Sequence, residues 1–350
     1  MNRLVKVVLL AFVSISCSAM QAHGQDITEQ LDQYFSDAGL NGSVIVTHNG
    51  NTILAKGYGM ANFELGVSNT SETVFRIGSI TKQFTAMAIL ILQERGLLRV
   101  EDTVGTHVSD VPEAWKPLTI HQLLTHTSGI MHSWPLDGFG ETMAVPTTLD
   151  ETLSRFYDEP LLFEPGSDYR YSGTAYFLLA KLIEELSDQS FGEFLKENIF
   201  DPIGMHHTGM DTQEEVVQNR AIGYEESESG QMQNAPDIYM PILTGGGNMI
   251  STVGDMALWD AALSNFELIS TDSYAKMYQP DKNNYAYGWR VLSFDETKLY
   301  QHTGGVPGFA ALISRLPEKE LCVIVLTNKI PFNLAPRRRL SQIYEIVTAE

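Results

Sequence analysis

The sequence predicts a mixed α/β fold in which both ends of the chain contribute strands to one sheet and a helix-rich stretch lies between them. Two observations predict this class. β-rich runs with turn signals occur within residues 43–59 and again within residues 310–327. Several segments between them carry apolar residues at helical spacing. A chain of 350 residues allows about two domains, or one large domain with an insertion.

Local patterns place the elements along the chain. The β-rich runs are residues 43–48, 52–59, 310–316 and 321–327. The segments with helical spacing are residues 27–38, 81–98, 174–186, 191–199 and 333–347. Asn49-Gly50-Asn51, between the first two strands, is typical of a hairpin turn. Residues 130–148 carry prolines and glycines around Trp134 and predict a long loop; such loops often line a site and are as often packed surface loops.

The composition is that of a globular protein with an acidic balance of charge. Hydrophobic residues make up 43% of the chain, which excludes a disordered or fibrous protein. The 43 acidic residues outnumber the 23 basic ones, and the formal net charge is -20. Because nucleic-acid binding depends on positive charge that neutralises phosphates, we expect no nucleic-acid partner.

The start of the chain is typical of a secretory signal peptide. Arg3 and Lys6 precede a mainly apolar run over residues 7–15, and Ala22-His23-Gly24 offers a small-x-small cleavage site. The run is shorter than the ~20 residues that span a bilayer, and no later segment reaches that length. We therefore expect residues 1–24 to be removed on export, which would leave a periplasmic or secreted protein without a transmembrane segment.

The two cysteines lead to different expectations. Cys17 lies in the signal region and could accept a lipid, although Ser14-Ile15-Ser16 before it fits a lipid-attachment site poorly. Cys322 lies in the apolar run over residues 321–326, so we expect a buried strand residue rather than a reactive thiol. As the only cysteine of the mature chain, it would have no partner for an internal disulfide.

Several familiar catalytic patterns do not occur in the sequence. There is no Gly-x-Ser-x-Gly elbow and no phosphate-binding loop. His206 and His207 are adjacent, and His121 and His126 are five residues apart, so neither pair shares a helix face as metal-binding histidines do. We therefore expect neither a metal nor an organic cofactor.

The segment Ser79-Ile80-Thr81-Lys82 is the pattern that indicates chemistry. Residues three apart on a helix share a face, so the serine hydroxyl and the lysine amine lie within reach of each other. Ser79 opens an almost wholly apolar helix, and burial would lower the pKa of Lys82 toward that of a general base. The alternative is that Ser79 only caps the helix while Lys82 extends to solvent. The same spacing recurs at Ser273 and Lys276, but in a polar segment.

Further segments occur in a fixed order with this pattern. They are Phe75–Thr85, Leu123–Gly129, Pro165-Gly166 before Tyr171-Ser172-Gly173, Gly245-Gly246-Gly247, and His302-Thr303-Gly304-Gly305. Together they resemble the serine β-lactamase and penicillin-binding-protein superfamily, in its class C-like branch of esterases and D-amino-acid peptidases. The resemblance covers about residues 30 to 330.

The resemblance implies an α/β (α+β) architecture with a mostly antiparallel sheet flanked by helices and an inserted helical lobe. A serine hydrolase domain would span residues 25–350. Its α/β lobe would comprise about residues 25–77 and 250–350, and its helical lobe about residues 78–249. The site is expected between the lobes, where ligand sites are common.

The resemblance also implies roles by position. Ser79 would be the nucleophile, Lys82 its partner and Tyr171 the phenol that shuttles protons. The backbone N–H groups of Ser79 and Gly305 would form the oxyanion hole. His302 would take the family's Lys or His position at the site; the alternatives are a packed aromatic for Tyr171 and a strand-end surface residue for His302. The expected substrate contacts are Thr303, Gly304, Gly173 and Trp134, whereas the expected supporting residues are His126 and Ser128.

Two positions depart from the family's usual pattern. The family usually has Tyr-x-Asn, in which the Asn amide contacts the substrate's acyl side chain, and Gly173 offers no such amide. His302 stands where many relatives have Lys, and with a reference pKa of ~6.5 it is a weaker anchor for a substrate carboxylate. We therefore expect esters or D-amino-acid peptides to be better substrates than β-lactams.

These observations predict an exported serine hydrolase that works through an acyl-enzyme on Ser79. The candidate substrates are a carboxylic ester, a D-amino-acid peptide and, less favoured, a β-lactam. The sequence identifies neither the actual substrate nor an oligomeric state. The competing class is a binding or scaffold protein that keeps the fold without turnover, which Gly173 in place of Asn suggests.

Overall fold

The computed structural model describes residues 26–134, 136–332 and 336–349. The expected signal peptide over residues 1–24 and Cys17 lie outside these ranges. The strands are β1 (Gly42–His48), β2 (Asn51–Tyr58), β3 (Met60–Asn62), β4 (Val67–Ser68), β5 (Phe75–Arg76), β6 (Gly209–Met210), β7 (Tyr224–Glu226), β8 (Met232–Asn234), β9 (Met249–Ser251), β10 (Arg290–Phe294), β11 (Thr297–Val306), β12 (Phe309–Leu316), β13 (Leu321–Thr327) and β14 (Lys329–Ile330). The helices are α1 (26–37), α2 (Thr81–Glu94), α3 (Val104–His107), α4 (Ile120–Leu124), α5 (Leu149–Ser154), α6 (Gly173–Ser187), α7 (Phe191–Leu195), α8 (Asp201–Ile203), α9 (Val253–Asn265), α10 (Thr271–Met277) and α11 (Pro336–Thr348).

Both ends of the chain meet in one six-stranded antiparallel sheet with the order β10-β11-β12-β13-β1-β2. β1 pairs with β13 from Gly42 opposite Thr327 to His48 opposite Leu321. β1 is buried over its first five residues and β13 over its whole length, as expected where a strand is covered on both faces. The prediction that the two ends build one sheet is confirmed.

Helices cover the two faces of this sheet. On one face, Phe35 of α1 and Ile343 of α11 share a core with Val44. The next residue of the strand, Ile45, points to the opposite face and joins the core that contains Trp259 of α9. The result is a mixed α/β fold with an antiparallel sheet between helical layers, as predicted.

The helix α2 is the centre of the helix-rich part. Its residues from Thr81 to Leu92 are all buried, which suits a helix that is apolar on most faces. The ring of Phe84 lies 4.4 Å from the ring of Trp259 in α9 and 5.7 Å from that of Phe200. Tight aromatic packing therefore joins the helix-rich part to the layer that covers the sheet.

Two helix ends differ from the sequence prediction. α2 ends at Glu94 rather than near Leu98, because Gly96 has φ +73° and turns the chain out of the helix. The helical spacing over residues 191–199 is confirmed, but the segment is not one regular α-helix. α7 ends at Leu195, and the chain continues as a π-helix over Lys196–Phe200. Apolar spacing does not distinguish these two hydrogen-bond patterns.

The long loop and the buried cysteine are confirmed. The described residues of 130–148 contain one 3-10 turn, Gly140–Thr142, and otherwise no regular element. Cys322 is buried in β13, and burial raises the pKa of its thiol well above the usual value. None of the described helices is long and apolar enough to cross a membrane. The lobe boundaries expected near residues 78 and 249 remain a prediction.

Candidate active site

The expected nucleophile Ser79 lies in a tight 3-10 turn, Gly78–Ile80, that leads into α2. Gly78 has φ +51°, and a Cβ there would lie 2.6 Å from the backbone nitrogen of Gly305. A Cβ at Gly304 would overlap the carbonyl oxygen of Ile77, just before the turn, and lie 3.1 Å from the nitrogen of Ser79. Glycines at these positions let the turn rest directly on β11. The close approach brings Ser79 and Gly305 to one cavity.

The amine of Lys82 is buried beside this serine. Its Nζ lies 3.2 Å from Oγ of Ser79 and donates to the carbonyl oxygen of Gly246 at 2.6 Å. Nζ also faces the rings of Tyr171 and Tyr176, at 4.9 and 5.4 Å from their centroids. Burial lowers the pKa of Lys82 to about 7, so a large fraction of the molecules carry a neutral amine at neutral pH.

The alternative interpretation of the Ser-x-x-Lys pattern, a helix cap and a solvent-facing lysine, is wrong. The N-cap of α2 is Ile80, and it makes no side-chain cap hydrogen bond. The carbonyl of Gly78 instead accepts from Oγ1 of Thr81 at 2.7 Å. Lys82 is 1% exposed, so its amine faces the protein interior.

The glycine segment 245–247 supplies the hydrogen-bond acceptor of this lysine. A Cβ at Gly245 would lie 2.5 Å from the carbonyl oxygen of Tyr176, and a Cβ at Gly246 would lie 2.7 Å from the ring of Phe177. The glycines therefore let the loop pack against α6 and present the Gly246 carbonyl to Lys82. The sequence marked the three glycines as part of a pattern without giving them a role.

The phenol of Tyr171 is buried next to Lys82. Its Oη has no hydrogen-bond partner of ordinary geometry among the described residues. Burial raises the pKa of Tyr171, and the nearby Ser79 hydroxyl opposes this rise only in part. Because the phenol stays protonated at neutral pH, Lys82 is the candidate base of the two, and Tyr171 can only relay a proton.

His126 supports the segment that carries this tyrosine. Its Nδ1 accepts from the N–H of Ser172 at 3.2 Å, and its carbonyl oxygen accepts from the N–H of Arg170 at 3.0 Å. Its ring lies 4.3 Å from the ring of Tyr171. Burial keeps the pKa of His126 well below its usual value, so the ring is neutral. These contacts fit the supporting role expected for His126.

His302 has both ring nitrogens engaged. Nδ1 lies 2.7 Å from the carbonyl oxygen of Thr303, and Nε2 lies 2.9 Å from the hydroxyl of Tyr285. Since a carbonyl oxygen only accepts, we assign the proton to Nδ1, and Nε2 accepts from the tyrosine. Burial, with a smaller contribution from Lys82, lowers the pKa of His302 to about 3, so the ring is neutral as expected. A direct catalytic role for His302 stays a prediction; this geometry places its ring in a supporting network.

A small cavity of about 30 Å³ opens in front of the serine. The predicted site residues that line it are Ser79, Lys82, Trp134, Gly173 and Gly305. Those not among its described lining residues are Tyr171, His302, Thr303 and Gly304. Lining residues that sequence reasoning missed are His132, Ser133, Phe177, Leu243 and Val306. The loop prediction over residues 130–148 was a signal for the first two, whereas the apolar residues look like ordinary core positions.

A wider depression lies between α5 and α6, and its character is acidic. Lys181 is the basic side chain there, and its Nζ is already paired with Asp150 at 2.5 Å and Glu185 at 3.5 Å. Within the described ranges, no group of three or more His, Cys, Asp or Glu side chains is placed to hold a metal ion. The depression contains no activated nucleophile, so the candidate active site is the cavity at Ser79.

Comparison with known sequences connects this site to a family. The sequence model of the family described as Beta-lactamase matches residues 27–347. PbpX of Bacillus subtilis, whose name marks it as a candidate penicillin-binding protein, is 30% identical over 327 residues. That match covers 93% of this chain and 80% of PbpX.

Solved structures agree with the sequence match. The octameric penicillin-binding protein homologue from Pyrococcus abyssi has a TM-score of 0.78 at 28% identity, over 91% of this chain and 77% of that one. The D-amino acid amidase from Ochrobactrum anthropi SV3 has a TM-score of 0.78 at 21% identity, over 93% and 98% of the two chains, which is a likeness of fold. The chain therefore belongs to the beta-lactamase family, within the superfamily of serine β-lactamases and penicillin-binding proteins that its ordered segments indicated.

Proposed function

We propose that this protein is an exported serine hydrolase that forms an acyl-enzyme on Ser79 and acts best on carboxylic esters with an uncharged acyl group. The observation that carries the proposal is the buried amine of Lys82, which has a pKa of about 7 and lies 3.2 Å from Oγ of Ser79. A neutral amine at hydrogen-bond distance is the partner that turns a serine hydroxyl into a nucleophile. Membership of the family supports serine hydrolase chemistry in general.

The reaction begins when the neutral Lys82 amine takes the Ser79 proton as Oγ attacks the carbonyl carbon. The carbonyl oxygen becomes an oxyanion that the N–H groups of Ser79 and Gly305 stabilise; one such donor contributes ~3 kcal/mol. Collapse of this intermediate expels the alkoxide, which receives a proton from the Lys82 ammonium directly or through the Tyr171 phenol. Water, activated by the amine once it is neutral again, then releases the acid and restores the Ser79 hydroxyl.

The walls of the cavity support an uncharged acyl group. Among its described lining residues none is acidic, and Lys82 is the one lysine or arginine. His302, which lies behind the cavity lining, is neutral and adds no positive charge. The apolar lining side chains are Trp134, Phe177, Leu243 and Val306. A β-lactam or peptide carboxylate therefore lacks a permanent cation here, and the ammonium group of a D-amino acid amide lacks a carboxylate. An ester requires only the nucleophile and the oxyanion hole.

A substrate panel tests this preference. We expect kcat/KM to be highest for a p-nitrophenyl ester, lower for a D-alanyl peptide and lowest for a chromogenic cephalosporin. The penicillin-binding name of PbpX supports the β-lactam or peptide alternative, and the amidase among the structural neighbours supports the D-amino-acid alternative. Faster turnover of the cephalosporin than of the ester would contradict the ester preference and leave the acyl-enzyme on Ser79 intact.

The competing proposal is a scaffold protein without turnover, and covalent labelling separates the two. A fluorescent phosphonate should label the protein, and mass spectrometry should place the adduct on Ser79. An adduct on Ser273 would mean that the wrong serine has been assigned. Failure of phosphonates and penicillins alike to form an adduct would favour the scaffold.

Export is proposed from the amino-terminal pattern of the sequence. Expression of the full chain in a bacterium should yield a periplasmic or secreted protein that begins near Gln25, whereas a chain lacking residues 1–24 should stay in the cytoplasm. The mass of the product decides between cleavage and lipid attachment at Cys17, because a lipid would increase the mass and leave Cys17 as the first residue.

A further inference from the structure

Gly173, the first residue of α6, leaves a space that His132 fills. A Cβ at Gly173 would lie 3.2 Å from Cε1 and 3.4 Å from Nδ1 of His132, and 3.5 Å from Oγ of Ser133. The shortest of these contacts is already tighter than carbon atoms usually make, and a longer side chain would need still more room. A large side chain at position 173 and the imidazole of His132 therefore compete for the same space.

The segment that carries His132 is fixed to the start of α6. Oγ of Ser172 caps α6 and also donates to the carbonyl oxygen of Met131 at 3.0 Å. Oγ of Ser133 lies 3.3 Å from Nδ1 of His132. The imidazole packs against the ring of Tyr171, with the centroids 5.5 Å apart. The ring is therefore a fixed part of the cavity wall rather than a loosely held loop side chain.

The imidazole is also uncharged. Burial, with a smaller contribution from the Lys82 amine, lowers the pKa of His132 to about 4. A neutral imidazole has one donor and one acceptor. One of these atoms, Nδ1, lies next to Oγ of Ser133. A neutral wall with one polar atom suits a small uncharged acyl group and offers no ion pair to a charged one.

We propose that His132 is a specificity-determining residue of the site, whose imidazole restricts the acyl group that reaches Ser79 to a short chain. The inference rests on the proposed esterase function. The cavity of about 30 Å³ is far smaller than the usual ligand pocket, and removal of the imidazole would extend it alongside Gly173. The family resemblance places an acyl-contacting residue at position 173, which puts this wall on the acyl side rather than the alcohol side.

The test compares p-nitrophenyl acetate, butyrate and hexanoate on the wild type and on His132→Ala, with active sites counted by phosphonate labelling. We expect the ratio of kcat/KM for hexanoate over acetate to rise about tenfold or more in His132→Ala, because one methylene group in a pocket changes discrimination by about 10–200-fold. His206→Ala is the matched control, since His206 is exposed in a turn away from the cavity, and its ratio should equal that of the wild type.

A double-mutant cycle tests the competition for space. Gly173→Asn alone should lower turnover of all three esters, because the new side chain displaces the imidazole. His132→Ala combined with Gly173→Asn should recover at least tenfold of that loss, and the two effects should therefore not add. Additive effects of the two substitutions would overturn the shared-space argument.

The outcomes separate this inference from the proposed function. If phosphonate does not label Ser79 of the wild type, the proposed function fails and the inference fails with it. If labelling is normal and His132→Ala lowers all three esters in parallel, His132 is only structural and the inference alone fails. His132→Gln, which keeps much of the volume and a donor, should keep the wild-type ratio. If the alanine variant does not fold, His132→Ser, which also removes the ring volume, takes its place in the test.

Discussion

The chain contains the Ser-x-x-Lys spacing twice, and the two copies have opposite surroundings. Lys82 is 1% exposed, its Nζ meets a backbone carbonyl and the Ser79 hydroxyl, and its pKa is lowered to about 7 by burial. The side chain of Lys276 is 47% exposed and lies 3.4 Å from the carboxylate of Glu101. Oγ of Ser273 donates to the carboxylate of Glu94 at 2.6 Å. The spacing is the same, and within the described part of the chain only the first copy buries its amine away from any carboxylate.

The difference shows that the setting, rather than the spacing, creates the nucleophile. A serine that donates to a carboxylate, as Ser273 does to Glu94, has its proton already committed. In the second copy these contacts fasten α10 to the end of α2. The first copy has apolar neighbours and backbone carbonyls instead, so a neutral amine and an available hydroxyl meet.

The largest difference between the two copies should appear when each serine is replaced by alanine. We expect Ser79→Ala to abolish ester hydrolysis, by a factor on the order of a million if the site acts as a unit, with a nearly unchanged thermal midpoint. Ser273→Ala should leave kcat/KM unchanged and cost ~1 kcal/mol of stability for the lost hydrogen bond to Glu94. Steady-state kinetics and thermal unfolding of both variants measure this. Substantial residual turnover in Ser79→Ala at an unchanged midpoint would assign the nucleophile elsewhere.

The second largest difference in kcat/KM should appear when the lysine of each copy is replaced. Lys82→Ala removes the proposed general base and should lower kcat/KM by about 100- to 10,000-fold. Lys82→Arg should be no better, because a guanidinium stays protonated and cannot act as a base. Lys276→Ala should behave like the wild type. If Lys82→Arg retained wild-type activity, proton transfer to this side chain would be excluded.

The pH dependence of activity should follow the ionisation of Lys82, in the first copy, alone. Since Lys82 must be neutral to act, kcat/KM should rise about tenfold per pH unit below an apparent pKa of about 7 and level off above it. Tyr171, whose pKa is raised by burial, stays protonated across this range. The profile should be unchanged in Lys276→Ala. A profile flat from pH ~5 to ~9 would argue against a base that titrates on the free enzyme.

The last expected effect is on stability. The pKa of Lys82 is lowered from 10.5 in the unfolded chain to about 7 in the folded one, so the unfolded state binds more protons between these values. The free energy of unfolding should therefore rise with pH from about 7 to about 10. Lys82→Met should weaken this rise and unfold less readily than the wild type at pH 6, whereas Lys276→Met should keep it. Denaturant titrations at several pH values measure this. If the free energy of unfolding rose equally with pH in Lys82→Met and Lys276→Met, the burial of Lys82 would be contradicted.

The sequence predicted much of the fold because the main elements have strong local patterns. The hairpin around Asn49-Gly50-Asn51 and the apolar run that became β13 are examples. The end of α2 was missed because the backbone conformation of Gly96, rather than loss of apolar spacing, ends the helix. Boundaries of this kind depend on one backbone angle that spacing does not reveal.

In the candidate site, the residues predicted from ordered motifs were easier to find than those placed by tertiary contacts. Ser79 and Lys82 are neighbours on one turn, so their meeting follows from helix geometry alone. The Gly246 carbonyl and the imidazole of His132 reach the cavity only because distant loops pack against α6. No periodicity within either loop encodes that packing.

The turn at Gly78 packs directly against β11, and this contact can form only after β11 has been synthesised. Ser79 is synthesised early, and the strand that supports its turn comes from the last part of the chain. The sheet closes late for the same reason, since β1 must wait for β13. Pairings between such distant segments form slowly. A growing chain therefore carries the serine for most of its synthesis without the backbone that would make it reactive, and the chemistry begins only when the two ends of the polypeptide have met.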